Sequence, residues 1–263
     1  MHVARRLDDV PRSTEPVFVV VGVFDGLHLG HAYLLRHLVA EASRRASRPV
    51  VITFDHHPDE VITGSAPPLL CDPEERLERL AAAGVDTTVV VHFDKRLRET
   101  PYEVFVGAIA ARAPIAGFLM TPDAAFGYER AGTPEALAAL GAERGFDVVV
   151  VEPQSLDGRP VRSSEIRSAI ATGDLDGVAA LLGRSHAVVG DAQPDGEGCR
   201  LRFPMPVALP PDGTYLARVT GAGPPAAGEA AGATHEVVVR GGEVVIDGGT
   251  AGRRTRVAFL ARA

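Results

Sequence analysis

The chain has 263 residues, 46% of them hydrophobic, enough to bury a substantial core in one large or two modest domains. Its 27 Lys and Arg against 34 Asp and Glu leave a net charge of −7, and no run of basic residues forms a stripe, so nucleic acid is not expected as a partner. The two cysteines, Cys71 and Cys199, share no metal-ligand spacing and are read as reduced; with no span-length apolar run and no signal-like stretch over 1–16, a cytoplasmic protein with no membrane partner is expected.

The first strong element is Val17-Phe18-Val19-Val20-Val21, which predicts a buried strand over 17–23. It empties into Gly22-Val23-Phe24-Asp25-Gly26-Leu27-His28-Leu29-Gly30-His31, a glycine-rich turn that opens a helix. A helix N-terminus presents unpaired N–H groups and positive potential, which suits phosphate oxygens. Gly26 and Gly30 let a ligand approach the backbone closely, and His28 and His31, three apart, can reach the same phosphates from one face of the first turn.

Further strands are expected over 49–54, 87–93, 117–121 and 147–152, in continuous apolar runs of the kind covered on both faces. Helix starts lie between them. Asp72-Pro73-Glu74-Glu75 places a capping oxygen before proline and carboxylates against the helix dipole. Thr100-Pro101-Tyr102-Glu103 has capping-box spacing, and Thr133-Pro134-Glu135 repeats the cap-then-proline device. This alternation predicts right-handed βαβ units in a parallel sheet, with ligands beyond the strand C-termini where the order reverses. A helical pair over 164–171 and 175–182 follows, and Gly183 marks its end.

From residue 186 the texture turns to Gly, Pro and alternating β-branched residues, with strands expected at 186–189, 199–203, 214–219, 235–239, 244–247 and 256–260. Arg240-Gly241-Gly242-Glu243 reads as a hairpin turn, and 221–232 as a mobile loop. The expected class is α/β: a Rossmann-like, doubly wound parallel sheet over 1–185, then a small all-β domain over 186–263, read as an incomplete barrel.

The turn at 22–31 carries the His-x-Gly-His signature of the nucleotidylyltransferase superfamily. Its long form, Gly-x-Phe-Asp-Gly-x-His-x-Gly-His, resembles the N-terminal domain of bacterial FAD synthetases, the bifunctional riboflavin kinase/FMN adenylyltransferases. Thr53-Phe54-Asp55-His56-His57-Pro58 is similar to that family's Thr-Phe-Asp-Pro-His-Pro, departing at His56. Asp123, Phe126, Gly127, Arg130 and Gly132 resemble its loop after the fourth strand, with Ala124 where the family has Phe and Ala125 beside it. Val161-Arg162-Ser163-Ser164-Glu165-Ile166-Arg167 is similar to Val-Ser-Ser-Thr-x-Ile-Arg, departing at Arg162 and Ser164, and the run from Gly173 to Arg184 also resembles the family. The likeness covers about residues 16–184.

The resemblance implies direct transfer of a nucleotidyl group from ATP to a phosphate monoester, most directly FMN, giving FAD and pyrophosphate, with Mg²⁺ arriving on ATP. It implies His28, His31 and Arg167 as the catalytic set on the triphosphate. It places the nucleotide at Gly22, Phe24, Asp25, Gly26, Gly30, Ser163 and Ser164, the two serines capping a second phosphate-facing helix. The acceptor falls to Thr53, His57, Pro58, Asp123, Phe126 and Arg130, with Phe126 against the flavin ring or, equally, tucked into the core. His56-His57 lacks a third and fourth zinc ligand at sensible spacing, so no metal ligand is assigned.

The kinase hallmark Gly-Arg-x-x-Gly-Phe-Pro-Thr-Ala-Asn is met here by Cys199-Arg200-Leu201-Arg202-Phe203-Pro204-Met205-Pro206-Val207. Met205 and Val207 offer no side-chain oxygen to a hard cation, so the kinase activity is expected to be lost. Two other readings stand beside the first: a nucleotidylyltransferase repurposed for another acceptor or for CTP, and a non-catalytic flavin or nucleotide sensor. Oligomeric state is not legible.

Overall fold

β-Branched runs alternate with capped helices, and the elements form where those local signals place them. The computed structural model describes residues 1–156, 158–196, 198–221, 234–247 and 254–263. The expected loop at 221–232 lies, apart from Gly221, outside the described residues. The chain divides into two compact units.

The first unit comprises Met1–Phe24, Gly30–Pro67 and Leu77–Ser155. Its strands are β1 (His2–Ala4), β2 (Val17–Val21), β3 (Arg48–Phe54), β4 (Thr87–Val91), β5 (Ile115–Met120) and β6 (Asp147–Val150). All pair in parallel, in the order β1-β4-β3-β2-β5-β6. The chain winds from β2 outward through β3 to β4, then returns to the other side of β2 with β5 and β6. The order therefore reverses between β2 and β5, where open α/β sheets bind ligands. β1 was not anticipated: three residues pairing His2 with Thr87 are too short to carry a pattern. The runs expected to reach 93 and 152 stop at Val91 and Val150, because the chain turns away once the parallel ladder ends.

Connecting helices are α1 (Leu29–Arg44), α2 (Pro58–Thr63), α3 (Pro73–Ala82), α4 (Lys95–Arg98), α5 (Tyr102–Ala110) and α6 (Pro134–Arg144). Leu35, Leu38 and Ala42 of α1 are buried, the three- and four-residue spacing of one helix face. Thr133 caps α6 by accepting from the Ala136 amide, as its sequence implies. Thr100 does not cap α5. Its hydroxyl donates to the Arg96 carbonyl at 2.8 Å, closing α4, and Pro101 occupies the cap position. With α4 immediately upstream, the hydroxyl finds a helix C-terminal acceptor first. The core joins strand and helix residues, among them Val19, Ile52, Phe105, Val106, Phe118 and Leu137.

The second unit gathers Asp25–Leu29, Pro68–Arg76 and Leu156–Ala263. A ribbon of β7 (Ser155–Leu156) and β8 (Arg159–Pro160) leads to α7 (Ser163–Thr172) and α8 (Leu175–Leu182). Then come β9 (Ala187–Asp195), β10 (Gly198–Arg202), β11 (Gly213–Gly221), β12 (Thr234–Arg240), β13 (Glu243–Ile246) and β14 (Arg254–Arg262). These close into a barrel, β10-β13-β12-β11-β14-β9, which corrects the expectation of an incomplete one. The physical reason is length: β9 and β14 each run to nine residues, so β9 pairs with both β10 and β14. Alternate residues point inward, Tyr215 and Ala217, Val237 and Val239, Val244 and Ile246, Val257 and Phe259, and fill the interior. The Tyr215 hydroxyl reaches the Pro211 carbonyl at 2.6 Å. Both cysteines are buried and neither is in a disulfide, and burial pushes Cys199 up. Among the described residues no helix is long and apolar enough to cross a membrane.

Candidate active site

In the second unit the turn after β2 is built on left-handed backbone. Gly26 sits at φ +78° and Leu27 at +39°, and a Cβ on Gly26 would meet Leu70 Cβ at 3.0 Å. The left-handed backbone and the packing against Leu70 both require glycine there. The Asp25 carboxylate is buried and accepts the Leu70 amide at 3.0 and 3.1 Å and an Arg167 Nη at 2.5 Å. Arg167 Nε also donates to the Pro68 carbonyl at 2.8 Å. Asp25, expected at the nucleotide, ties 68–70 and α7 to the turn.

Ser163 is the first residue of α7 rather than its cap. Arg162 holds the cap position, and the Ser163 hydroxyl donates to the Asp25 carbonyl at 3.2 Å. Ser164 is exposed in the same first turn. Arg184, beyond the C-terminus of α8, donates to the carbonyls of Gly26 at 2.7 Å and Leu182 at 3.2 Å. His28 is 4% exposed, and burial, reinforced by the Arg184 and Arg167 charges, lowers its pKa to about 4. At neutral pH it is an uncharged imidazole beside two guanidiniums. Such a cluster offers N–H donors and positive charge to a polyanion.

In the first unit a cavity of about 470 Å³ opens at the reversal of strand order, beyond the ends of β2 and β5. Phe54, Phe93, Phe105, Phe118 and Phe126 line it together with Met120, while Arg98, Glu129 and Arg130 bring charge, and Thr100 and Thr121 hydroxyls, to a largely apolar wall. Of the residues expected at the acceptor, Pro58, Phe126 and Arg130 line this cavity, and so does Gly22. Phe126 lines the cavity, and its ring also packs on Phe105 and Phe118 at centroid distances of 5.5 and 6.0 Å. Glu129 and Arg130 have positive φ, +53° and +58°, local strain of the kind held at binding loops.

The other three acceptor residues support the walls rather than line them. Thr53 is fully buried, and its hydroxyl donates to the Val23 carbonyl at 3.0 Å. His57 caps α2, its Nδ1 accepting the Asp59 amide at 3.2 Å. The Asp123 carboxylate accepts the Thr121 hydroxyl at 2.8 Å, and its carbonyl accepts Arg130 at 3.0 Å. Phe24, at φ +54°, is 2% exposed and lays its ring over Gly22 and against His31, at a centroid distance of 5.1 Å from the imidazole. Gly30 lies in the first turn of α1.

A FAD synthetase family model matches residues 10–165, more than half of the chain. The chain belongs to the FAD synthetase family. The bifunctional riboflavin kinase/FMN adenylyltransferase of Haemophilus influenzae is 31% identical over 192 residues, 72% of this chain and 62% of that protein. The protein of that description from Escherichia coli K12 is 31% identical over 218 residues, 80% of this chain and 70% of its own length. The Listeria monocytogenes counterpart is 30% identical over 193 residues, 71% and 60%. The chain thus spans less than two thirds of the Haemophilus and Listeria proteins. A crystal structure of a macrolide-efflux protein from Streptococcus pneumoniae superposes with a TM-score of 0.81 at 22% identity, covering 100% of this chain and 90% of that one; it shares the fold.

Sequence reasoning missed Arg184 as a member of the cationic cluster. Its signal was the Leu-Leu-Gly-Arg string after α8, in which the left-handed Gly183 turns the chain and the arginine becomes available to the 26–27 carbonyls. Sequence reasoning also missed Phe54 and Phe93 as cavity walls. Each ends or follows a strand, and their rings meet edge to face at 5.2 Å. Beside them Asp55 faces His92, with Nδ1 2.7 Å from Oδ2. Burial alone would raise the Asp55 carboxyl, but bonds from His92 and His56 hold it below its usual value, and the same bond raises His92.

Proposed function

We propose that this chain transfers the adenylyl group of ATP to the phosphate of FMN, yielding FAD and pyrophosphate. A phosphate oxygen of FMN attacks the α-phosphorus in line, the bond to the bridging oxygen breaks, and pyrophosphate leaves with the electron pair. The attacking phosphate is already ionised, so no general base is needed. Arg167, Arg184 and the neutral His28 serve the triphosphate and the charge that grows on the leaving group, the role the family motif also gives His31. Mg²⁺ arrives on ATP, held by phosphate oxygens and water.

The observation that carries the reading is the cavity at the strand-order reversal. At about 470 Å³, lined by five phenylalanines with Arg98, Arg130 and Glu129 as its charged groups, it lies within the size range of small-molecule sites and suits a flat ring bearing a phosphate. Family membership supports the same reaction.

In this reading residues 1–185 perform the transfer and 186–263 are a remnant of a riboflavin kinase domain. Between Phe203 and Val207 no side chain offers oxygen to Mg²⁺. The same stretch is zipped to another segment: the Leu69 amide donates to Pro206 and the Ala208 amide to Leu69, at 2.9 and 2.8 Å.

The test incubates the full chain with Mg²⁺, ATP or CTP, and FMN or riboflavin, following pyrophosphate and product mass together. FAD from ATP and FMN, with no FMN from riboflavin, is the expected result. Transfer to another phosphate monoester but not to FMN would make it a repurposed nucleotidylyltransferase. Nucleotide binding with no transfer to any acceptor would make it a sensor.

A further inference from the structure

We propose that Asp55, His56 and His92 form a binding site for a divalent transition ion that prefers nitrogen ligands, with Zn²⁺ the best fit. The register of the sheet creates the site. β3 and β4 run in parallel with Phe54 opposite Val91, so the next residues, Asp55 and His92, leave their strands side by side. The Asp55 amide donates to the Val91 carbonyl at 3.2 Å, extending the ladder one step and fixing that juxtaposition.

Each residue offers one ligand atom, and all three atoms lie within 4.8 Å of one another. Among the described residues this is the one such group of three. Asp55 Oδ2 is 2.7 Å from His92 Nδ1, and Oδ1 is 3.2 Å from His56 Nδ1. Ligands about 2.0–2.2 Å from a tetrahedral ion stand about 3.3–3.6 Å apart. Both observed separations fall below that edge, so loading the ion moves the partly exposed imidazoles outward by under about 1 Å. The carboxylate is already oriented: Oδ1 accepts the main-chain amides of His56 at 2.8 Å and Phe93 at 3.3 Å. Anchoring a ligand through its outer contacts is what holds metal sites in shape.

Two imidazoles and one carboxylate exclude Mg²⁺ and Ca²⁺ as good fits, since those ions take oxygen, and they suit zinc with one open position. The adjacent residues Phe54 and Phe93 line the cavity, so an ion here would pin two of its walls. The proposal is independent of the reaction assigned above.

The test is a calorimetric titration of ZnCl₂ into the chelator-stripped full chain, repeated with H56A, H92A, the double variant and H2A. The two site histidines have side chains 42% and 66% exposed, so their variants should fold, which thermal denaturation without metal checks. One equivalent should bind the native chain and H2A, and each site variant should weaken it by at least about tenfold. Co²⁺ in place of Zn²⁺ should give the visible bands of a tetrahedral site, lost in the double variant. Absence of saturable binding, or equal binding by the native chain and the double variant, would overturn the proposal.

Discussion

Asp25→Asn asks whether the buried carboxylate organises the glycine turn after β2, as its geometry indicates. The Asp25 side chain is 4% exposed and Arg167 is 17%, so the pair is largely shielded from solvent. Breaking a buried pair by removing one partner costs about 3–5 kcal/mol, because the other charge is left uncompensated. Arg167 keeps some contact with water, and asparagine keeps a carbonyl for the Leu70 amide, so about 3 kcal/mol is expected. Arg167→Met should cost a similar amount. The double variant leaves no buried charge, so its loss should fall short of the sum by about 2–3 kcal/mol. Urea unfolding gives the cycle, and hydrogen exchange at the Leu70 amide, which donates to both Asp25 oxygens, reports the local opening. The coupling should persist near 1 M salt, where exposed pairs are screened. Additivity within about 0.5 kcal/mol would refute the argument and return Asp25 to the surface of the site.

Three further outcomes follow from the same contacts. Arg184→Gln removes a guanidinium beside His28 and should weaken Mg·ATP binding by about tenfold or more, measured calorimetrically; a change under about twofold would take Arg184 out of the site. Phe126→Ala should weaken FMN by about tenfold while leaving ATP within about twofold, since only the ring partner loses a stacking face; equal losses would mean the side chain is only structural. His28 and the fully buried His186 both have pKa values lowered to about 4, chiefly by burial, so between pH 6.5 and 4 the unfolded chain binds protons that the folded chain refuses. Stability is therefore complete above about pH 6.5 and falls as pH drops toward 4, by up to about 3 kcal/mol per histidine. His186→Gln, which retains a donor for the Ala208 carbonyl 2.7 Å away, should flatten that slope in urea titrations, and an unchanged slope would contradict the assignment.

What the sequence determined by itself is local. The run Val17–Val21, the glycine turn and the cap at Thr133 each fix backbone within a few residues, so strand, turn, helix and parallel sheet were legible. Contacts that join distant segments were not. Asp25 reads only as part of a local motif, yet it bonds Leu70 and Arg167, 45 and 142 residues away. Thr100 reads as a cap, yet the helix before it claims its hydroxyl. Arg184 enters the cationic cluster only because α8 ends at a left-handed glycine, and His92 meets Asp55 only because β4 pairs with β3 in one register. Barrel closure likewise depends on β9 finding two partners. Hydrogen bonds, ion pairs and register are satisfied between segments, and which segments meet is decided when the chain packs.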